Sequence, residues 1–203
     1  MAYHSTSEKM RILMSRIFVI FLLIIILFSG SHWQFHPIID TLIFAVGCVL
    51  ASVGAMGRLW CSLYISGYKN NTLITTGPYS IMRHPLYFFS LIGALGVACA
   101  TETLLIPLIV LIVFISSYPG VILGEEKRLL SKHGEKFKQY CQRTPAVFPK
   151  FSIYEEPETY VTNPRIFEKS IFSALWFIWL IGILDIVETL HEIGILPVYF
   201  KLY

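Results

Sequence analysis

Charged side chains are scarce in this sequence of 203 residues, of which 14% are Asp, Glu, Lys or Arg and 55% are hydrophobic. The mean hydropathy is +0.65, which is far above that of an ordinary soluble domain. Uncharged stretches recur along the chain, and a helix needs about 20 apolar residues to cross a bilayer. The sequence therefore predicts an integral membrane protein. The net charge of only +3 makes nucleic acid an unlikely partner class.

Paired cysteine motifs are also missing. The four cysteines, Cys48, Cys61, Cys99 and Cys141, form no CxxC pattern and have no paired spacing with histidine. The pattern supports neither a zinc site nor a disulfide framework, so we expect four free thiols and no bound metal. No GxG motif occurs either, which argues against a dinucleotide-binding fold of the soluble type.

Five apolar segments predict an all-α membrane fold of about five transmembrane helices. Residues 12–28 form the first segment, for which a cleaved signal peptide is the competing reading because Lys9, Arg11 and Arg16 precede or begin it. The others span residues 38–56, 86–100, 103–123 and 171–184. The last segment is short and could instead lie in the membrane interface. Gly47 and Gly54 should let a neighbouring helix approach the second segment closely.

The distribution of basic residues predicts the topology. Of the 16 Lys and Arg residues, all but Lys201 fall in residues 1–16, 57–85 and 124–169. By the positive-inside rule, these three segments lie in the cytoplasm, together with the amino terminus. Residues 86–100 and 103–123 are separated only by Thr101 and Glu102, so they should form a tight helical hairpin. Pro107 and Pro119 should kink its second arm.

Two polar stretches should meet at the cytoplasmic membrane edge. The first, residues 58–85, ends in His84 and Pro85, and Pro85 suits the first position of a helix. The second begins with Glu125 and Glu126 and continues as an amphipathic helix that breaks near Pro145. Hairpin connectivity brings the acidic pair back beside the start of the hairpin. Singly, these side chains are more often membrane anchors or solvated helix ends than catalysts.

In order, however, they form a pattern. It includes Thr72, Leu73 and Ile74, the run Thr76 to Tyr79, the run Arg83 to Pro85 with Tyr87, the acidic pair, and then Gly134, Tyr140, Arg143 and Pro145. This pattern closely resembles the isoprenylcysteine carboxyl methyltransferase family, which belongs with the phospholipid methyltransferases. The resemblance covers residues 58–150. It implies a multi-pass membrane enzyme that uses S-adenosylmethionine as cofactor.

The resemblance also implies which residues form the site, with the cofactor pocket at the cytoplasmic membrane edge. Glu125 lines up with an acid near the methyl acceptor, and Arg83 is its expected catalytic companion. The residues that line up with the family's cofactor contacts, or lie next to them, are Thr72, Leu73, Ile74, Tyr79, His84, Pro85, Leu86, Tyr87 and Glu126. Tyr79 and Tyr87 suit stacking and attraction to a sulfonium cation, worth about 0.5 to 2 kcal/mol. Glu125 is either a base or, alternatively, an ion-pair partner of Arg83.

Departures from the family leave the acceptor open. Val121 stands where the isoprenylcysteine enzymes carry an arginine linked to substrate recognition, and Tyr64 stands where they carry a cofactor-contacting glutamine. We expect methyl transfer to a lipophilic carboxylate, lipid amine or thiol, with membrane lipids as partners, in a multi-pass protein of the bacterial inner membrane. The predicted domains are a methyltransferase core, residues 1–150, and an extension, residues 151–203, with a fifth membrane helix at residues 171–187.

Two other functions compete with this one. Membrane sterol reductases that use a reduced nicotinamide share the pattern of Arg83, His84, Pro85 and Tyr87, although they need more membrane helices than this chain offers. A membrane scaffold or small carrier is the second alternative. Within the predicted spans only Arg16 and Asp40 are charged, both near ends, so no buried ion pathway is visible.

Overall fold

The computed structural model describes residues 24–30, 37–66, 68 and 72–201. They divide into two compact units, one of residues 24–30 with 185–201 and the other of residues 37–184. The predicted first membrane segment lies outside the described residues except for residues 24–28, which are helical. In the smaller unit, strands β1 (Ser29–Gly30) and β2 (Phe200–Lys201) pair in parallel, and the rings of Phe28 and Tyr199 lie 5.9 Å apart.

The larger unit is helical throughout its regular structure. Its helices are α1 (Pro37–Ile65), α2 (Pro78–Ile81), α3 (Pro85–Cys99), α4 (Leu105–His133), α5 (Glu135–Arg143) and α6 (Pro164–Glu192), the last of which continues into the smaller unit; a 3₁₀ turn covers Phe151–Ile153. Among the described residues, three helices are long and apolar enough to cross a membrane, namely Ile38–Ile65, Leu105–His133 and Pro164–Glu192. The predicted all-α integral membrane fold is thus confirmed.

Several predicted boundaries were wrong. Helix α1 continues nine residues beyond Met56 to Ile65, and the fifth predicted segment is part of a 29-residue helix. The third predicted segment, residues 86–100, agrees with α3 to one residue at each end; its 15 residues span about 22 Å at 1.5 Å per residue, which is short of the roughly 30 Å of a hydrocarbon core. The predicted amphipathic helix is two helices, because Gly134 adopts a φ of 54° and ends α4.

Glycines hold α1 and α3 together. A Cβ atom added to Gly96 would lie 2.3 Å from the amide nitrogen of Ala51, and one added to Gly54 would lie 2.4 Å from the Cα atom of Gly93. These distances leave no room for a side chain, so the two backbones touch directly. The predicted close approach of a neighbouring helix at Gly47 and Gly54 is confirmed. The predicted hairpin is present as well, since α3 and α4 are joined by residues 100–104.

An irregular stretch, residues 145–163, runs back along the start of the hairpin; we call it the return segment. The carbonyl oxygens of Pro145 and Ala146 accept hydrogen bonds from the amides of Arg83 and His84, at 2.8 and 3.2 Å. The amide of Gly77, whose φ is 60°, donates to the carbonyl of Glu155 at 2.8 Å. The return segment thereby fixes the backbone that precedes α3, which carries much of the candidate site.

Candidate active site at the base of the hairpin

The two arms of the hairpin bring His84 and the acidic pair together. His84 directly precedes α3, and its side chain is buried. Its Nε2 atom lies 3.1 Å from Oε1 of Glu126, and its Nδ1 atom lies 3.8 Å from Oε2 of Glu125. Both carboxylates belong to α4, which leaves the apolar part of the hairpin at this level. A buried imidazole therefore lies between two carboxylates.

Arg83 completes this charged group, and its ion-pair partner is Glu126, not Glu125. Its Nε atom lies 3.1 Å from the same oxygen of Glu126 that contacts His84. The alternative in which Glu125 serves as the ion-pair partner of Arg83 is therefore wrong. Glu125 instead lies 3.7 Å from Nη2 of Arg128, which is largely exposed. Glu126 is thus bound on two sides, whereas Glu125 keeps the looser contacts.

Aromatic rings extend the site from His84 into the hairpin. The ring of Tyr87 lies nearly parallel to that of His84, with 5.9 Å between centroids. Tyr118 of α4 meets the ring of Tyr87 edge to face at 5.2 Å and stacks on Phe114 at 3.5 Å. Tyr87 also interacts electrostatically with Glu125. The result is an electron-rich wall beside the acidic pair, and Tyr118 is a member that the sequence analysis missed because it lies within an apolar span.

Tyr79 is another aromatic residue that interacts electrostatically with Glu125. The hydroxyl of Tyr140 donates to the carbonyl oxygen of Tyr79 at 2.7 Å, which ties α5 to α2. Burial raises the pKa of Tyr79 well above its ordinary value of 10.0, and the carboxylate of Glu125 adds to the effect. Burial also raises the pKa of Tyr140, although the nearby Arg83 opposes the shift. Both phenols therefore stay protonated at neutral pH.

The remaining predicted cofactor residues occupy two places. Pro85 and Leu86 are the first two residues of α3, and Pro85 is buried. Thr72, Leu73 and Ile74 lie in the non-helical stretch before α2. Within the described part of the chain, no side-chain hydrogen bond or ion pair joins these three residues to His84 or the acidic pair. Their cofactor role stays a prediction, as do the roles of the other site residues.

Arg58 is a further charged residue that the sequence analysis did not select. It lies on α1, and its guanidinium donates to the hydroxyl of Ser90 on α3 and, at 2.9 Å, to that of Ser173 on α6. Its Nε atom is buried without a hydrogen-bond partner among the described residues. No carboxylate of the described residues lies within ion-pair distance of it. Arg58 also interacts electrostatically with Tyr118 and Tyr79, so it lies near the aromatic side chains of the site.

The return segment adds a second aromatic group next to α1. The hydroxyl of Tyr64 donates to Oε1 of Glu156 at 3.1 Å, and its ring stacks on Tyr160 at 4.7 Å. A Cβ atom at Gly77 would lie 2.3 Å from the Tyr64 ring, so this position requires glycine on steric grounds as well. Tyr64, which departs from the family pattern, is thus used to hold the return segment.

The site shows no arrangement suited to a metal. Among the residues that the structure describes, no group of three or more His, Cys, Asp and Glu side chains is placed to hold a metal ion. The four cysteines are free. The charged group at the base of the hairpin consists of two carboxylates, a histidine and an arginine beside aromatic rings.

Fold and site together define an α-helical membrane protein with a polar site at one end of a helical hairpin, and comparisons with known proteins agree. The family model described as phospholipid methyltransferase matches residues 39–136. A protein-S-isoprenylcysteine O-methyltransferase of Schizosaccharomyces pombe is 31% identical over 81 residues, which cover 40% of this chain and 34% of that protein. No solved structure matches.

Two relatives match over most of their length. The cobalt-zinc-cadmium resistance protein CzcN of Cupriavidus metallidurans is 39% identical over 181 residues, which cover 89% of this chain and 83% of the relative. The nickel-cobalt-cadmium resistance protein NccN of Alcaligenes xylosoxydans xylosoxydans is 35% identical over 187 residues, with coverage of 92% and 87%. The chain belongs to the same family as CzcN and NccN, and its residues 39–136 form the phospholipid methyltransferase region that the motifs predicted.

Proposed function

We propose that this chain transfers a methyl group from S-adenosylmethionine to a lipophilic acceptor at the membrane. The observation that carries the proposal is the assembly of His84, Tyr87, Glu125 and Glu126 at the base of the hairpin, within the part that matches the family. The assembly favours an active site over a scaffold, because histidine, carboxylate and aromatic side chains gathered in one place are the groups from which acid–base and cation-binding sites are built.

The residues present fit the cofactor's chemistry. A sulfonium cation is favoured next to the faces of Tyr87 and Tyr118, since aromatic rings attract cations. The ammonium of the cofactor's amino acid end needs carboxylates, which Glu125 supplies with its looser contacts. When bound, the cofactor supplies an electrophilic methyl group on sulfur.

The chain's own residues then have to hold the acceptor in line with that methyl group and keep water away. Proximity and orientation of this kind can supply about 7 to 11 kcal/mol of the barrier. An acceptor carboxylate arrives ionised and needs no base, whereas an ammonium or thiol must first lose a proton. In the latter case Glu125 would have to take the proton in place of its contact with the cofactor's ammonium, because Glu126 is already bound to both Arg83 and His84.

Arg58 favours an acceptor that carries negative charge. A guanidinium has five donor hydrogens, of which the structure uses two on serine hydroxyls, and a partly buried cation is costly without an anion. A carboxylate bound there would pair with Arg58 and lie near Tyr118. Arg58 on α1 would thereby take over the role for which Val121 is unsuited. We therefore prefer a lipophilic carboxylate over an amine or thiol.

Cofactor binding is the first test. We expect the purified protein in detergent to bind S-adenosylhomocysteine and not reduced nicotinamide dinucleotide phosphate, and Tyr87→Ala to weaken this binding at least tenfold. Phe172→Ala is the matched control, because Phe172 is an exposed aromatic residue of α6. Selective binding of the nicotinamide would favour the reductase instead. Binding of neither compound by folded protein would favour the scaffold.

Product chemistry tests the acceptor. Membranes that contain the protein are given cofactor with a labelled methyl group, and the lipid extract is treated with mild alkali. A methyl ester releases labelled methanol, whereas N-methyl and S-methyl groups keep their label. We expect alkali-labile label that falls at least tenfold in Arg58→Met. Alkali-stable label would leave the proposal of methyl transfer intact but would contradict the proposal that the acceptor is a carboxylate.

The names of the two long relatives suggest a setting for this chemistry. Carried to this chain as a proposal, methyl transfer in the bacterial inner membrane contributes to resistance against cobalt, zinc, cadmium or nickel. We expect the wild-type chain, and not Glu125→Gln, to raise the metal tolerance of a sensitive bacterial host. If both chains raise metal tolerance equally, resistance does not depend on methyl transfer.

A further inference from the structure

A loop at the start of the return segment exposes large apolar side chains outside the membrane helices. We call residues 147–151 the apex loop. Phe148 is 81% exposed, Phe151 is 71% exposed and Val147 is 40% exposed, while Lys150 between them is also exposed. Isolated apolar residues on a surface need no explanation, but three of them in five residues form a patch.

The backbone of this loop is held firmly although its side chains are free. On one side, Thr144 is buried, and the carbonyls of Pro145 and Ala146 accept bonds from Arg83 and His84. On the other side, the amide of Lys150 donates to the carbonyl of Ile81 at 3.0 Å. The apolar side chains are therefore presented by a fixed turn.

Its anchoring places the apex loop at a defined level. Ile81, Arg83 and His84 lie within the four residues before Pro85, where the apolar helix α3 begins. A loop bonded to these residues lies where the hairpin meets the membrane surface. Aromatic side chains together with a lysine are the combination favoured at that depth, because the rings bury apolar surface while the cation meets lipid headgroups.

We propose that the apex loop inserts Phe148 and Phe151 into the lipid leaflet at which α3 begins, with Lys150 on the headgroups. The occupant of this surface is the lipid bilayer. The outer face of α5, by contrast, carries Glu135, Lys138 and Gln139 and should stay in water. The inference does not depend on methyl transfer, although it would keep the backbone beside the candidate site at the level from which a lipophilic acceptor arrives.

The test is a depth measurement in lipid nanodiscs. In a chain whose four cysteines are replaced by alanine, Phe148→Cys carries an environment-sensitive nitrobenzoxadiazole dye, and Gln139→Cys is the matched control on α5. We expect blue-shifted emission, several-fold brighter than that of the control and quenched by spin-labelled lipid, at residue 148 alone. Water-like emission at residue 148 would overturn the proposal.

A second measurement covers the case in which the cysteine-free chain does not fold. Phe148→Trp in the otherwise native chain adds one tryptophan, whose emission is compared with that of the parent chain in brominated lipid. If brominated lipid quenches the emission that the new tryptophan adds, insertion is supported. If that added emission is not quenched, insertion is contradicted. Nanodiscs with and without phosphatidylglycerol then test Lys150. If Phe148→Trp inserts more deeply with the anionic lipid, and this difference disappears when Lys150→Gln is added, the role of Lys150 is supported. Equal insertion with and without the anionic lipid removes Lys150 from the proposal.

Discussion

A single oxygen of Glu126 lies 3.1 Å from both Arg83 and His84, so this residue is the centre of the charged group. Glu126→Gln would leave the guanidinium without its anion. Removing one partner of a fully buried ion pair costs about 3 to 5 kcal/mol. Because the Arg83 and Glu126 side chains keep 16% and 22% of their exposure, we expect a loss of about 1 to 3 kcal/mol in the free energy of unfolding.

Denaturant unfolding in detergent measures this loss. Glu135→Gln is the control, since Glu135 pairs with Lys138 at 3.1 Å while both remain largely exposed, and such pairs contribute about 0 to 1 kcal/mol. Equal losses in the two variants would show that the pair at the hairpin contributes no more than a surface pair.

Two buried phenols at the site should make the folded protein less stable as the pH rises into the alkaline range. The raised pKa of Tyr79 and Tyr140 means that the unfolded chain releases their protons near pH 10 while the folded chain still holds them. Their contribution is therefore complete below about pH 10 and is lost as the pH rises through the higher folded values. We expect the unfolding midpoint to change little between about pH 8 and 9.5 and to fall above that range.

Tyr79→Phe isolates one of the two groups. The variant cannot ionise at this position, so its midpoint should fall less steeply than that of the wild type above about pH 10. Identical slopes would mean that Tyr79 does not keep its raised pKa in the folded protein. The variant also retains the backbone carbonyl that accepts from Tyr140, so this hydrogen bond is unaffected.

At the scale of elements, the junction of α1 and α3 depends on backbone contact. A Cβ atom at Gly96 meets the backbone of Ala51 and not a flexible side chain, so relief requires the helices to separate. We expect Gly96→Leu to abolish folded, monodisperse protein in detergent. Overpacking in a core typically costs about 1 to 3 kcal/mol of stability, because neighbouring side chains shift to make room. The cost should be larger here, because the contact is with backbone.

Gly182→Leu is the control for this substitution. Gly182 lies on the apolar helix α6, and a Cβ atom added there meets nothing within 4 Å. The same change in size and hydrophobicity should therefore leave the elution profile and the unfolding midpoint nearly unchanged. A folded Gly96→Leu variant with a wild-type midpoint would show that α1 and α3 are not in direct contact.

The elements that were predicted are those that local signals determine. Pro85 fixes the start of α3, and the short turn at Thr101 and Glu102 forces α4 back beside α3, so the meeting of His84 with Glu125 and Glu126 followed from connectivity. Gly134 was a visible signal for a helix end, yet the apolar spacing on both sides of it suggested one continuous helix.

The parts that were not predicted depend on tertiary packing. Arg58 falls on α1 after the apolar run ends, and only the packing of α3 and α6 brings Ser90 and Ser173 to it. The return segment has no helical or strand periodicity, and it is held by backbone bonds to another irregular stretch. Such pairings leave no regular pattern of side chains from which to infer them.

For the whole molecule, topology is the prediction with the widest consequences. Residues 57–85 and 124–169 hold most of the Lys and Arg residues and, in the structure, they also hold the charged part of the candidate site. The positive-inside rule places both stretches in the cytoplasm, where a soluble cofactor is available, and the turn between α3 and α4 on the opposite side.

Cysteine labelling of intact cells tests this arrangement. In the cysteine-free chain, Leu104→Cys, at a residue that is 60% exposed beside the turn, should react with a membrane-impermeant maleimide in intact cells. Gln139→Cys on α5 should react only after the membrane is opened, because the charge distribution predicts that α5 and the site face the cytoplasm. The reverse pattern would place the candidate site outside the cytoplasm, away from the cofactor. In that case the charge distribution would reflect lipid headgroup binding and not orientation, and methyl transfer from a cytoplasmic donor would be excluded.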